Sequence, residues 1–319
     1  MTSLRSTLVG CQKCINIIKF YNLVSRQSSK HCRSSSVSMP KLQASRQLRY
    51  FNSTSTRSSE AHTTVDQHEH DKFLKLASQW WDERGEYFAL HSMNKLRIPL
   101  IRDGIVDIVT DKKLPLKDKV ILDVGSGGGI IAESLARLGA TVIGVDMVEE
   151  NIQVAQAHVS QDPSIESHIK YIHGAVEDLI GTEEGRFDAV VSSEVVEHVS
   201  DVTSFLSSCC KLIKPGGSLF ITTLNKTNLS YGLAVFGAER VLQVVPPGTH
   251  DWNKFIPPED LQADLERNGM VVRLVHGMCY NPVTNRWSWI SNTDINYAVH
   301  AIKPINSLES DKTQENVDS

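Results

Sequence analysis

The run Asp123-Val-Gly-Ser-Gly-Gly-Gly129 follows a short apolar segment, Val120-Ile-Leu-Asp-Val124, and leads into a helical pattern over 128–138. Strand, glycine loop and helix in that order set bare backbone N–H groups and a helix N-terminus where a ligand can approach without side-chain obstruction. The glycines do not make a dinucleotide fingerprint. Counted from Gly125, the third glycine of Gly-x-Gly-x-x-Gly would fall at Ile130. The loop instead reads Asp-x-Gly-x-Gly-x-Gly, and an acid at Asp123, two residues before Gly125, suits a cationic ligand with an amino group better than a pyrophosphate. Asp146 stands 21 residues beyond Gly125, where a carboxylate can accept both hydroxyls of a ribose. Dinucleotide enzymes place an acid similarly, so the loop makes the distinction and Asp146 does not. Glu177 and Asp178 follow the third apolar run, close to where an adenine edge would lie, or are simply solvated acids. Together these residues point to S-adenosylmethionine, with a degenerate nucleotide fold used only for binding as the rival.

A second constellation is Glu194, Glu197 and His198, just after the apolar run Phe187 to Ser192. That is the carboxyl end of a strand, where open α/β sheets bind ligands. If the chain turns helical there, spacings of three and four put the three side chains on one side. Two carboxylates and an imidazole could then hold a divalent cation: Mg²⁺ or Mn²⁺ by the oxygen donors, Zn²⁺ by the imidazole. Equally, a Glu-His pair can shape a pocket with no metal. A phenol has a pKa of about 10, so little phenolate exists near neutral pH. Metal coordination would stabilise the oxyanion. His198 acting as general base would reach the same result without a metal.

These residues need a scaffold, and the apolar pattern supplies one. Residues 72–109 read as helical, with Phe73, Leu76, Trp80, Leu96, Ile101 and Ile105 on apolar faces. Strands are expected at 120–124, 141–145, 170–173, 187–192 and 218–224, with helices near 128–138, 149–159 and 201–212 between them. Lys214-Pro-Gly-Gly217 reads as a turn. After Leu224 the rhythm breaks over 225–256, then resumes with a helix at 258–268 and two strands near 270–278 and 296–302, close enough to pair antiparallel. Alternating strands and helices imply an α/β fold, a doubly wound, mostly parallel sheet.

Charge is distributed unevenly. Residues 1–59 hold ten Lys or Arg, fourteen serines and no acid, so the formal charge of −4 becomes about −14 on residues 60–319. Basic, Ser-rich and acid-free is the composition of a mitochondrial transit peptide, here disordered and cut between about 45 and 60. A disordered basic tail for nucleic acid is the alternative reading. Cys11, Cys14 and Cys32 lie in that leader, so the Cys11-x-x-Cys14 pair is read as chance. Cys209, Cys210 and Cys279 remain, an odd number in a reducing compartment, which argues against structural disulfides. No apolar run reaches bilayer length, so a soluble or peripheral protein is expected. The acidic body argues against a nucleic-acid partner.

Residues 228–250 form an apolar insertion in which Leu229, Leu233, Phe236 and Val241 could line one helical face. It reads either as a lid helix packed on the core or as a membrane-surface segment, although Lys226 and Arg240 give it little positive charge. Trp287 and Trp289 lie between the closing strands and are suited to covering an aromatic group or to packing the core. The tail over 304–319 is polar and expected to be disordered.

The run Ile121-Leu-Asp-Val-Gly-Ser-Gly-Gly-Gly129, with Val145-Asp146-Met147 and Ser193-Glu-Val-Val-Glu-His-Val199, resembles the ubiquinone-biosynthesis O-methyltransferases. So does Leu76-Ala-Ser-Gln-Trp-Trp-Asp82 followed by Leu90-His-Ser-Met-Asn-Lys-Leu-Arg97. The resemblance covers roughly residues 70–303 and is to the mitochondrial member of that family. It implies a class I methyltransferase domain: a seven-stranded sheet with an antiparallel closing strand and an N-terminal helical cap. Arg97, Gly125, Asp146 and Ser193 would contact S-adenosylmethionine, joined by Asp123 and Gly127 of the loop, and a backbone contact would serve at Ser193. Mg²⁺ is implied at Glu194, Glu197 and His198, with His198 and Glu197 in the chemistry. The implied substrates are 3,4-dihydroxy-5-polyprenylbenzoate and demethylubiquinol. The implied setting is peripheral, on the matrix side of the mitochondrial inner membrane, against its lipid surface and in a multi-subunit ubiquinone-synthesis complex. The rival functions are a non-catalytic lipid-binding or scaffold subunit of such a complex, and a class I enzyme for another small phenol.

Overall fold

A computed structural model describes residues 79–85, 87–106, 111–227, 255–281 and 283–305. The leader, the start of the first predicted helix, most of the 225–256 insertion with Leu229, Leu233, Phe236 and Val241, and nearly all of the tail lie outside the described residues.

The elements run α1 (Phe88–Ile105), β1 (Val120–Val124), α2 (Ile130–Ala136), β2 (Thr141–Asp146), α3 (Glu149–Val159), α4 (Pro163–Glu166), β3 (Ile169–His173), β4 (Phe187–Ser193), α5 (Val202–Leu212), β5 (Ile213–Leu224), α6 (Pro258–Arg267), β6 (Val271–Asn281), β7 (Arg286–Ile290) and β8 (Asn296–Ile302). They build one eight-stranded sheet, ordered β3-β2-β1-β4-β5-β8-β6-β7. The first five strands in that order pair in parallel, and β8 lies antiparallel between β5 and β6. Seven strands were expected. The eighth, β7, pairs antiparallel with the end of β6 and forms one edge of the sheet, while β3 forms the other. Lys214-Pro-Gly-Gly217 is not a separate turn. It lies within β5 as an irregular opening, where Gly216 adopts φ +80° and the β4–β5 register shifts.

Central strands read as unbroken apolar runs because helices cover both of their faces. Successive side chains point to opposite faces. Ile121, Ala189, Val191 and Phe220 therefore join one core with Ile101 of α1, Leu135 of α2 and Ile152 of α3. Leu122, Val190, Leu219 and Ile221 join the other, with Leu206 of α5 and Leu261 of α6. The result is three layers, with the carboxyl ends of β1, β2, β4 and β5 along one rim. A helix wall on each side leaves that rim as the place for ligands.

Candidate active site

Every predicted site residue on a strand end is found on this rim. Asp123 sits near the end of β1, Asp146 ends β2, and Ser193 ends β4. The loop after β1 is drawn toward β2, since the N–H groups of Gly125 and Ser126 both donate to Val145 O, at 2.8 and 3.0 Å. Gly125 takes φ +69°, and a Cβ added to it would lie 2.4 Å from Val195 Cγ2, so both conformation and space demand glycine there.

Asp146 is held more fully than expected. Its Oδ2 accepts from Gly127 N at 2.8 Å, and its Oδ1 accepts from Val148 N at 2.9 Å and Asn151 Nδ2 at 3.1 Å. Burial raises its pKa, and these three hydrogen bonds oppose the rise. Three of about four acceptor positions on the carboxylate are thus already used. A fork to both ribose hydroxyls would have to displace one of these donors.

Asp123 is the opposite case. It is buried, and its Oδ2 has no hydrogen-bond partner among the described residues. Burial raises its pKa to about 7, with the Arg97 guanidinium opposing the rise and Asp146 adding to it. An unsatisfied buried carboxylate oxygen is costly unless a donor arrives. An ammonium group would meet that need, so this part of the site fits the amino acid end of S-adenosylmethionine.

Arg97 comes from α1 and is fully enclosed. Its Nη1 donates to Ser193 Oγ at 2.8 Å, its Nη2 to Leu90 O and Asn94 Oδ1, and its Nε to Asn94 Oδ1. Burial lowers its pKa to about 10, against the opposing pull of Glu194 and Asp123, which leaves it cationic at neutral pH. Arg97 is therefore not a solvated helix arginine.

Two tryptophans supply a cover that sequence patterning did not assign. The Trp80 ring lies on the glycine loop: an added Cβ would come within 2.5 Å of its Cη2 and Cζ2 at Gly127, and within 2.4 Å of its Cβ and Cγ at Gly128. Trp80 stacks on Tyr87 at 3.9 Å between centroids, and its Nε1 donates to Asn151 Oδ1 at 2.7 Å. Asn151 is the same residue that donates to Asp146. Trp81 Nε1 donates to Gly128 O at 2.8 Å, and its ring stacks at 3.5 Å on His158, whose Nδ1 lies 2.6 Å from the buried Glu133. The sequence signal for this strap is the Trp80-Trp81 pair within the run Leu76–Asp82.

Glu194, Glu197 and His198 do not take up helical spacing. Glu194 has φ +57°, a left-handed conformation that costs a residue with a Cβ about 1–2 kcal/mol, and only Val196–His198 form a short 3₁₀ turn. Neighbouring threonines of β5 then separate the two carboxylates. Thr222 Oγ1 donates to Glu194 Oε1 at 2.7 Å, and Thr223 Oγ1 donates to Glu197 Oε2 at 2.7 Å. Consecutive strand side chains point to opposite faces, so Glu194 is held on the α1 side and the buried Glu197 on the α5–α6 side. His198 is half-buried on the same short turn. Among the described residues no three His, Cys, Asp or Glu side chains converge on a point that could hold a metal ion. As arranged, these three do not make a metal centre.

Three other expectations are settled locally. Asp178 Oδ2 accepts from Ala175 N at 2.9 Å and so closes its own turn. Trp287 packs against the Met93–Met278–Ala298 cluster, and its Nε1 donates to Ala89 O at 2.9 Å, which is core packing against α1. Trp289 is part-exposed beside His276, with 5.8 Å between ring centroids. Next to His198, a cleft of about 330 Å³ is walled by Val199, Val202, Phe255, Ile256 and Pro257, with Lys226 and Asp260 at its polar side.

Residues 122–221 match the family model described as a methyltransferase domain. The chain is 51% identical to the Homo sapiens protein named ubiquinone biosynthesis O-methyltransferase, mitochondrial, over 77% of this chain and 67% of that one. It is 40% identical to the ubiquinone biosynthesis O-methyltransferase of Sinorhizobium fredii, over 77% of this chain and 98% of that one. Among solved structures, one chain from a complex containing the Haloferax volcanii Trm112 methyltransferase activator aligns with a TM-score of 0.50 at 14% identity, over 73% of this chain and 98% of that one, a likeness of fold.

Proposed function

The chain belongs to the ubiquinone biosynthesis O-methyltransferases, and on that premise we propose that it methylates catechol-type hydroxyls of polyprenylated intermediates, 3,4-dihydroxy-5-polyprenylbenzoate and demethylubiquinol. The enzyme class is an S-adenosylmethionine-dependent methyltransferase. The observation that carries the site reading is the unsatisfied Asp123 Oδ2 enclosed beside the Arg97 guanidinium above the glycine loop. When bound there, S-adenosylmethionine supplies a methyl group on a cationic sulfur.

Each residue then has its part. Asp123 accepts from the amino group, and Arg97 binds the carboxylate. Gly125 and Gly127 let the loop backbone approach, Ser193 holds Arg97 in place, and Asp146 accepts from the ribose. Exclusion of water and alignment do most of the catalytic work, since the phenolate and the sulfonium neutralise each other during transfer. His198 removes the phenolic proton as general base, and Glu197 helps fix the turn that carries it. The cleft beside His198 is the place for an aromatic ring, against its Val199, Phe255 and Pro257 wall.

The donor types of Glu194, Glu197 and His198 suit Mg²⁺, but Thr222 and Thr223 hold the two carboxylates apart, so no step here runs through a metal. Turnover unchanged by a chelator is the expected result; activity lost on chelation and restored by Mg²⁺ would show that the three side chains regroup around a metal. Residues 1–59 are proposed as a cleaved mitochondrial leader, supported by their composition and by relatives named mitochondrial. No helix among the described residues is long and apolar enough to cross a membrane. We place the enzyme peripherally on the matrix side of the inner membrane, with the apolar insertion toward lipid, in a multi-subunit ubiquinone-synthesis complex. The deciding assay compares methyl transfer to a polyprenyl dihydroxybenzoate with transfer to a short plain catechol. Preference for the first supports the reading. Preference for the second indicates a small-phenol enzyme, and transfer to neither indicates a scaffold subunit.

A further inference from the structure

The Trp80 indole is tied to the carboxylate that ends β2 through a single intermediate. Its Nε1 donates to Asn151 Oδ1 at 2.7 Å, and Asn151 Nδ2 donates to Asp146 Oδ1 at 3.1 Å. Asn151 lies in the first turn of α3 and is buried, where each bond is electrostatically stronger than in water. The two ends fix the direction of this relay. An indole N–H can only donate and an ionised carboxylate can only accept. The Asn151 oxygen must therefore face Trp80, and its nitrogen must face Asp146. Without the indole donor the amide is free to turn, and a turned amide sets its oxygen against the carboxylate.

Asp146 Oδ1 also accepts from Val148 N, and Oδ2 accepts from Gly127 N. The acceptor position left over is on Oδ2, and a ribose hydroxyl can arrive there without displacing a donor. Asn151 thus helps to set the plane of the carboxylate that the hydroxyl meets. Trp80 is itself held from α1: its ring stacks on Tyr87 with 3.9 Å between centroids, and His91 Nε2 lies 2.8 Å from its carbonyl oxygen.

We infer that Trp80 is a positioning residue for the cofactor ribose, setting the Asp146 carboxylate through Asn151. The inference rests on the site reading proposed above, in which Asp146 accepts from the ribose. It concerns the indole N–H, as distinct from the packing of the ring on the glycine loop.

The test uses Trp80→Phe, which keeps an aromatic ring beside Tyr87 and removes the donor. Calorimetry on the full chain gives affinities for S-adenosylhomocysteine and for its analogue lacking both ribose hydroxyls. Trp80→Phe should weaken S-adenosylhomocysteine by about three- to tenfold, the scale of one hydrogen bond, and leave the analogue within about twofold of the parent. Equal weakening of both ligands would mean that Trp80 only packs the loop, and would overturn the inference; so would no weakening of either. Asn151→Ala should weaken S-adenosylhomocysteine by a similar factor, and adding Trp80→Phe to it should change little, because the two act in series on one carboxylate. Losses that multiply would break the relay. If Trp80→Phe melts too low to assay, Trp80→Leu is read by the same two affinities. A parent enzyme that binds both ligands equally well would instead overturn the ribose role of Asp146 in the site reading, and the inference with it.

Discussion

A buried acid with one oxygen left unpaired is a strong predictor of how a binding site responds to pH. Asp123 has a pKa of about 7 because burial disfavours its charge. A cationic amine binds its ionised form, so affinity is present above that pKa and lost as pH falls through it. The dissociation constant for S-adenosylmethionine, followed by calorimetry from pH 7.5 down to 5.5, should rise toward about tenfold per unit below pH 7. Asp123→Asn should bind more weakly and lose that slope; a parent enzyme with flat affinity over the range would refute the role. Asp123 and Asp146 are singled out in sequence by the spacing of the glycine loop, Arg97 and Ser193 by the resemblance alone, and the structure places Arg97 against Ser193 and beside Asp123. Thr222 and Asn151 are singled out by neither. Their roles depend on partners 28 and 71 residues away, Glu194 and Trp80, and on strand register, which sequence spacing does not contain. Helical spacing failed at Glu194 for a local reason: one left-handed residue ends the periodicity on which the rule rests.

At the scale of elements, alternation and apolar runs placed the strands and the helices between them well, because a sheet covered on both faces demands such runs, whereas the helix expected over 72–109 is found only over Phe88–Ile105 among the described residues. β7 escaped, since Arg286-Trp-Ser-Trp-Ile290 is short and borders a turn, and only pairing with β6 makes it a strand. The strap and the glycine loop are likewise a joint element. Gly128→Ala places a Cβ within 2.4 Å of Trp80, an overpacking that should cost about 1–3 kcal/mol in denaturant unfolding. Part of that cost should vanish in Trp80→Gly, Gly128→Ala, where the colliding Cβ and Cγ are both gone; strictly additive losses would disprove the contact. Across β5 and β8, His300 stacks on Phe220 at 4.5 Å, and its Nε2 lies 3.0 Å from Ser218 Oγ. Burial lowers its pKa to about 4, below the ordinary value of 6.5. The unfolded chain then takes up the proton more readily, so His300 contributes stability above pH 6.5 that declines as pH falls toward 4. Unfolding free energies at pH 7 and pH 5 should differ less in His300→Gln than in the parent.

For the whole molecule, the contrast between basic residues 1–59 and an acidic remainder is the most distinctive property. A fluorescent protein carrying residues 1–59 should accumulate in mitochondria by microscopy, and a diffuse signal would reject the leader. Deleting 229–245 should release the enzyme from liposomes, read by flotation, with its melting temperature preserved; retention on the vesicles would reject membrane docking. The two ends of the sheet carry a different consequence. Its edge strands β3 and β7 are only five residues long, and each bears a cation, Lys170 on one and Arg286 on the other. A short, charged edge gives a second molecule little length to pair with and repels a like copy. The sheet therefore stops where it stops, and the protein can crowd at high local concentration without its exposed strands seeding a fibre.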